Sequence, residues 1–498
     1  MSTNNTNDLI VKIKNPSYQS SKHMSRLVGT IDLPSIARII SYEVGNGLSA
    51  NPRKSAIKTH GVVHAIMDTL DYTPEMMRYN SNGITVLAQD VHNIGDEGKR
   101  FNLTFNDAKH LGVVNGGHTL LGVALHILPQ IPGINEESVS SAKIKDWDGL
   151  TKFWKTSVKT DNLTEFFEDY GKKVIRLRAD GEFEENEIAI PVEVIYPNPR
   201  YLVEFEKYAY AISDAKNANT PLKKETKANQ IGYYEILKET LDPFIAERVQ
   251  WRDGDTVTKK PIRKVGDILG LMMLPLYKLQ LEDKLPKDVK MLSPIYCYNG
   301  KGKAIDLFRD TLDELCEQAG LDSMMTENLK KVVKEDSFVL SAHRIMKLIP
   351  SISDDIYQNL PVAYKEITKR DINEQQGVKK FSTRADTSTK EGKEKFVSSQ
   401  PTTPYYGLDT THVIPEGLMA PVVASLWNIM ELRDNQLVWA VSNPREFVKD
   451  HLIELITPMV NSISGTSFSP TQVGKTEEYY SNIADKLEMI LRIHQLEQ

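Results

Sequence analysis

The sequence predicts an α+β N-terminal half, a mixed sheet with covering helices, followed by a mostly α-helical C-terminal half. Three observations carry this. Up to about residue 260, short apolar runs bounded by Asn, Gly and Pro alternate with stretches of helical spacing. Beyond that point the spacing is almost wholly helical. The chain has 498 residues, 40% apolar and 26% charged, which describes an ordinary folded protein long enough for two to four domains of roughly 100–200 residues each.

Taken in order, residues 1–54 form a preliminary segment with a strand over 9–13 and a helix over 33–42, closed by the loop residues Asn46, Gly47, Asn51 and Pro52. Over 55–70, Ile57, Val62, Val63, Ile66, Met67 and Leu70 recur as one helix face. Asn80-Ser81-Asn82-Gly83 turns into a strand over 84–91, residues 101–105 alternate as a second strand, and 107–110 turn again. A third apolar run, 111–114, breaks at Asn115-Gly116-Gly117-His118-Thr119 and resumes at helical spacing over 120–127. A helix over 147–167 precedes strands over 174–178 and 188–195. Pro191 argues that the latter lies at an edge or starts there. Residues 201–215 are helical by periodicity, and 249–260 read as a hairpin turning at Asp253-Gly254.

The helical part comprises 265–279, 304–318, 324–333, 339–348 and 354–372. Residues 379–404, rich in Lys, Ser and Thr, read as a flexible linker or loop. Tryptophan-bearing helices over 418–432 and 436–441, then helices over 445–455 and 477–496, close the chain. The expected organisation is an N-terminal segment (1–54), an α+β domain (55–290), a helical region (291–378), the linker or loop (379–404) and a C-terminal helical region (405–498).

Composition narrows the function classes. A net charge of −6 gives no whole-chain basic field, so any nucleic-acid contact must be local. The two cysteines, Cys297 and Cys316, make neither a disulfide framework nor a CxxC zinc site. The polar N-terminus lacks the pattern of a secretory signal, and the longest apolar runs, broken by Pro275 and Pro421, are too short to span a bilayer. A cytoplasmic protein with no membrane association is expected. His60, His64 and Asp68 fall at four-residue steps on one helix, but the base of an HExxH site is missing, so a polar helix face is expected rather than a metal. Val473-Gly474-Lys475-Thr476 looks like the end of a phosphate-binding loop, yet Ser469 holds the place of its first glycine and Pro470 interrupts it.

The chemistry concentrates in three Asn/Gly segments. In the first two, glycines permit positive φ and a close backbone approach, and the amides of Asn80, Asn82 and Asn115 can bond a ligand or brace a neighbouring loop. Thr119 is a plausible N-cap whose helix would present free N–H groups to an anion; Gly116 and Gly117 equally suit a plain strand-to-helix turn. The third segment carries Asn217 and Asn219 ahead of Thr220-Pro221, a helix start, with Lys223, Lys224 and Lys227 near it. That arrangement suits phosphate, and it also suits a solvated amphipathic helix.

These pieces, in this order, resemble the abortive-infection phage-resistance family, AIPR. The matching stretches are SNGIT at 81–85, VVNGGHT at 113–119, IPVEVI at 190–195 and KNANTPLKKETKANQ at 216–230. His118 stands where the family commonly has Gln, Ser81 where it often has a second Asn, and Asn219 where Gln is usual. A more distant similarity links VNGGHTLLGVAL to the DGxHR-like box of ParB-like proteins, with Asn115 for the acidic residue and Thr119 for the arginine. The resemblance implies a ParB-like mixed sheet and a nucleotide or phosphate pocket between the glycine turn and the Asn217 segment. Loss of the arginine removes a bidentate phosphate ligand.

The resulting expectation is an anti-phage protein whose pocket binds a nucleotide or nucleic acid and, if catalytic, hydrolyses a phosphate ester with Mg2+ as the cofactor. His118, Asp214 and Glu225 are the catalytic candidates. Asn80, Asn82, Gly83, Asn115, Gly116, Gly117, Thr119, Asn217, Asn219, Lys223 and Asn229 are the ligand-binding ones. The alternative is a non-enzymatic nucleotide- or DNA-sensing module that acts through a second copy or a partner protein on the helical C-terminal half. A third reading is that the Asn/Gly segments only brace one another.

Overall fold

A computed structural model describes residues 8–46, 50–51, 61–95, 99–105, 111–202, 204–217, 223–252, 255, 257–384, 387–463 and 469–497. The chain divides into two compact units, residues 1–222 and 223–498. As expected, the first is a mixed sheet with helices and the second is mostly helical. Among the described residues no helix is long and apolar enough to cross a membrane.

The first unit begins with β1 (Asp8–Ser20) and β2 (Met24–Ile31), followed by helix α1 (Leu33–Asn46) and helix α2 (Val62–Tyr72). In β1 the alternating Leu9, Val11 and Ile13 point inward, 7%, 1% and 0% exposed, as a strand with one buried face requires. Next come the single turn α3 (Met77–Asn80), then β3 (Ile84–Leu87), β4 (Asp90–Gly95), β5 (Arg100–Thr104) and β6 (Gly112–Asn115). Helices α4 (Gly117–Ile127), α5 (Glu136–Ala142), α6 (Trp147–Ser157), α7 (Thr160–Ala179) and α8 (Phe183–Asn186) lead to β7 (Ile190–Pro197) and α9 (Phe205–Lys216). The strand order is β4-β5-β1-β2-β7-β3-β6; β3 and β7 run parallel and every other neighbouring pair is antiparallel. β1 pairs with β5 from Asp8 to Lys12 and with β2 from Ile13 to Ser20, the second ladder carrying a register shift between Lys14 and Ser17.

Several expectations are corrected here. The run over 84–91 is two strands, because the chain changes partners at its middle: Ala88 N bonds Ile195 O on β7, and Gln89 N bonds Thr104 O beside β5. Residues 174–178 are helix rather than strand, lying inside α7, where Phe166, Tyr170, Val174 and Leu177 repeat at helical spacing. Pro191 is the second residue of β7, which satisfies the strand-start reading; the strand itself is interior, between β2 and β3. The part of the expected helix before residue 61 and the turn at 107–110 lie outside the described residues, as does His60; His64 and Asp68 are exposed on α2.

In the second unit the helices Val265–Leu281, Lys301–Gln318, Thr326–Glu335, Ser337–Met346, Ile349–Thr368 and Glu477–Leu496 follow the expected pattern. The hairpin over 249–260 does not form: Val249–Gln250 pairs in parallel with Arg263–Lys264, and Asp253-Gly254 lies outside the described residues. Within the segment expected as a linker or loop, Lys379–Phe381 and Phe396–Val397 join His412–Val413 in a three-stranded sheet, with a helical turn at Lys390–Lys395. The tryptophan-bearing stretch is a helix Glu416–Ala424 and then a hairpin, Met430–Arg433 with Gln436–Trp439. Asp434 and Asn435, at φ 51° and 59°, form the two-residue turn that holds 436–439 as strand instead of helix.

Candidate functional site

The strand-to-helix stretch 111–127 forms as read, with one correction at its turn. Gly116, at φ 96°, is the residue before the first turn of α4, so the helix starts at Gly117 and Thr119 lies inside that turn rather than capping it. Only a left-handed residue lets β6 reverse so tightly, and the space is closed as well: a Cβ on Gly116 would sit 2.6 Å from Gly83 O. Gly83, at φ 72°, is packed in turn against Pro191 O on β7. The first two Asn/Gly loops therefore touch, because β3 and β6 are paired, with Thr85 opposite Asn115.

They open onto a cavity of about 610 Å3 in the first unit. Asn82, Gly83, Asn115, Gly116, Gly117, His118, Thr119 and Asn217 all line it. Asn80 ends α3, is exposed, and is not in the wall; Asp214 is half-buried on α9 and is not there either. Asn219 lies outside the described residues. Lys223, Glu225 and Asn229 belong to the second unit, where Glu225 sits in the first turn of the helix Lys224–Ile231 and Asn229 Oδ1 accepts from Lys238 Nζ at 2.7 Å.

The wall also holds charged residues that sequence reading did not select. Glu193 on β7 faces Thr85 across the parallel pair and Val28 across the antiparallel one; Arg26 lies two residues from Val28, on the same face. Arg26 Nε is 2.5 Å from Glu193 Oε1, and Lys216 Nζ is 2.5 Å from Oε2, which also accepts from Thr85 Oγ1 at 3.0 Å. The Glu193 side chain is 12% exposed, whereas those of Arg26 and Lys216 are 44% and 36% exposed, so a solute in the cavity meets the cations more readily than the carboxylate. The signal for Glu193 was a lone acid in the apolar run IPVEVIY. Its partners sit far away in the chain, where spacing rules carry no information.

Two amides are already engaged by backbone. Asn115 Nδ2 donates to Lys216 O at 2.5 Å, and Asn217 Nδ2 donates to Val114 O at 3.1 Å and Ser213 O at 2.7 Å. They stitch the end of α9 to the end of β6, which fixes Lys216 beside the glycine turn. The first turn of α4, at the positive end of its helix dipole, reaches the cavity through Gly117, His118 and Thr119. With Arg26 and Lys216, this makes a cavity that favours an anion.

Residues 48–124, the segment that carries both glycine loops and the first turns of α4, match the family model described as AIPR protein. No curated protein and no solved structure matches the chain.

Proposed function

We propose that the first-unit cavity binds a phosphate-bearing ligand, a nucleotide or a nucleic-acid end, and that this binding serves anti-phage defence by abortive infection. The AIPR match supports the defence role. The observation that carries the ligand class is the convergence of two glycine loops, a helix N-terminus and the cations Arg26 and Lys216 on one cavity. The arginine absent from the ParB-like box at Thr119 has a counterpart here in Arg26, supplied by β2.

The test is calorimetric titration of the full chain with ATP, and with a short oligonucleotide with and without its 5′-phosphate. Arg26→Gln should weaken binding by about tenfold, the scale of one charge-assisted contact. Glu193→Gln removes the carboxylate that competes for both cations and should tighten binding. If no phosphate ligand binds, or if neither substitution moves the affinity, the ligand class is wrong.

Of the three catalytic candidates, His118 lines the cavity, and Glu193 adds a carboxylate there. Among the described residues no three imidazole, thiol or carboxylate groups converge as a metal-holding set. A Mg2+ ion would therefore arrive with the ligand's phosphates rather than in a protein cage. The engagement of the Asn115 and Asn217 amides by backbone favours the sensing reading over hydrolysis. Phosphate release from ATP or nicking of plasmid DNA in Mg2+ buffer, lost in His118→Ala, would establish the enzyme; binding without turnover would establish the sensing module.

A further inference from the structure

The second unit contains its own cavity, about 240 Å3 in volume, lined by residues of that unit alone. We propose that it is a binding site for a small monocarboxylate with a compact apolar body, gripped by the Arg263 guanidinium. The site has a charged end, two hydroxyls and an apolar end.

Arg263 opens the two-residue strand Arg263–Lys264. Its Nε donates to Pro404 O at 2.7 Å, and its guanidinium carbon lies 5.4 Å from the centre of the Tyr405 ring. These contacts hold the plane of the group and occupy one of its five N–H donors. Among the described residues no carboxylate lies within ion-pair distance of it. A half-buried guanidinium with its terminal fork unpaired, facing a cavity, is a carboxylate receptor by geometry and charge.

Ser353 and Tyr405 line the same space at 5% and 6% exposure, each with a hydroxyl able to donate to or accept from a ligand atom. Their neighbours are satisfied. Tyr357 Oη accepts from Ile414 N at 2.8 Å, and Thr403 Oγ1 donates to Asp354 at 2.6 Å. Asp354 also accepts from the backbone N of Tyr405 and Tyr406, at 3.0 Å and 2.7 Å, which pins the 403–406 strap as one wall.

The rest of the wall is apolar, from Leu271, Ile414, Met419, Ala420 and Val423. Cys297 belongs to it as a neutral thiol: burial pushes it up to about 12, and its Sγ faces Ala420 O at 3.7 Å. Charge favours a monoanion over phosphate. Glu416 lines the cavity, already paired to Lys301 at 2.5 Å, and Asp354 stands behind the strap, so a second negative charge on the ligand would find Arg263 the one cation among the described wall residues. The volume falls near the roughly 300 Å3 lower end of small-molecule pockets, which suits an acid of benzoate or isovalerate size.

The experiment is saturation-transfer NMR followed by calorimetry on the full chain with benzoate, phenylacetate and isovalerate, with benzamide and inorganic phosphate as comparisons. At least one of the three acids binds, and benzamide is weaker by about tenfold or more. Arg263→Lys keeps the charge but loses the fork, and it weakens binding by at least about tenfold. Ala420→Leu, which leaves Arg263 intact and fills the cavity, abolishes it. The proposal is overturned if none of the three acids binds, if benzamide binds as tightly as the best acid, if phosphate does so at a site that Ala420→Leu closes, or if Arg263→Lys retains wild-type affinity. Circular dichroism of each variant separates loss of the site from loss of the fold.

Discussion

Glu43 is a carboxyl on α1, 1% exposed, whose Oε1 accepts from Val113 N at 2.6 Å, directly under the strand that enters the glycine turn. Gly112 leaves it room, since a Cβ there would lie 2.6 Å from that oxygen. Burial raises its pKa from 4.5 to about 8, and the Val113 N–H only partly opposes this. The folded chain thus keeps a proton that the unfolded chain gives up near 4.5, and stability falls as pH rises from that value to about 8, then levels off. Urea denaturation between those limits should show a loss on the order of a few kcal/mol in the wild type and a flatter profile in Glu43→Gln. Parallel profiles would mean that the carboxyl is not held neutral. Glu43 carries little local signal, because its partner lies seventy positions away. Glu193 and Arg26 escaped notice for the same reason, whereas the loop residues Gly83, Asn115 and Gly116 announced themselves through local turn chemistry.

Among elements, the β6 to α4 turn is the joint most sensitive to change. Gly116→Ala adds a Cβ at positive φ and pushes it against the Gly83 backbone, where no flexible side chain can yield. A loss of about 1–3 kcal/mol, or more if the clash cannot relax, is expected as a fall in thermal midpoint. Asn217→Ala leaves two backbone carbonyls without their donor and should cost about 1–3 kcal/mol. Wild-type stability in either variant would remove the argument that the turn and α9 are locked together. Elements whose pattern is local were legible in the sequence: α4, the helix Val265–Leu281 and the helix Glu477–Leu496. The misread ones had ambiguous local patterns. Val174, Ile175 and Leu177 look strand-like over five residues and declare a helix only with Phe166 and Tyr170 in the window; 436–439 looks helical until Asp434-Asn435 is recognised as a hairpin turn.

At the scale of the whole molecule, the chain divides into two compact units at residues 222 and 223. The sequence marks a helix break there, at Asn217, Asn219 and Thr220-Pro221, but a helix break alone does not mark a boundary between units. What assigns the helix Lys224–Ile231 to the second unit is long-range contact, such as the 2.5 Å pair between Lys224 and Asp306. The first unit is complete by its own accounting: all seven strands of its sheet and a continuous core from Leu9 to Ala209 come from residues before 223. A folded chain of that size buries roughly 70% of its extended surface, enough to stand alone. Residues 1–222 expressed separately should therefore unfold in one cooperative thermal transition. The fragment should also bind the phosphate ligand of the full chain within about threefold, because every side chain of the cavity wall is present. A fragment without a cooperative transition would refute independent folding. A folded fragment that has lost the ligand would instead show that binding draws on residues of the second unit, making Lys223, Glu225 and Asn229 the next substitutions to test.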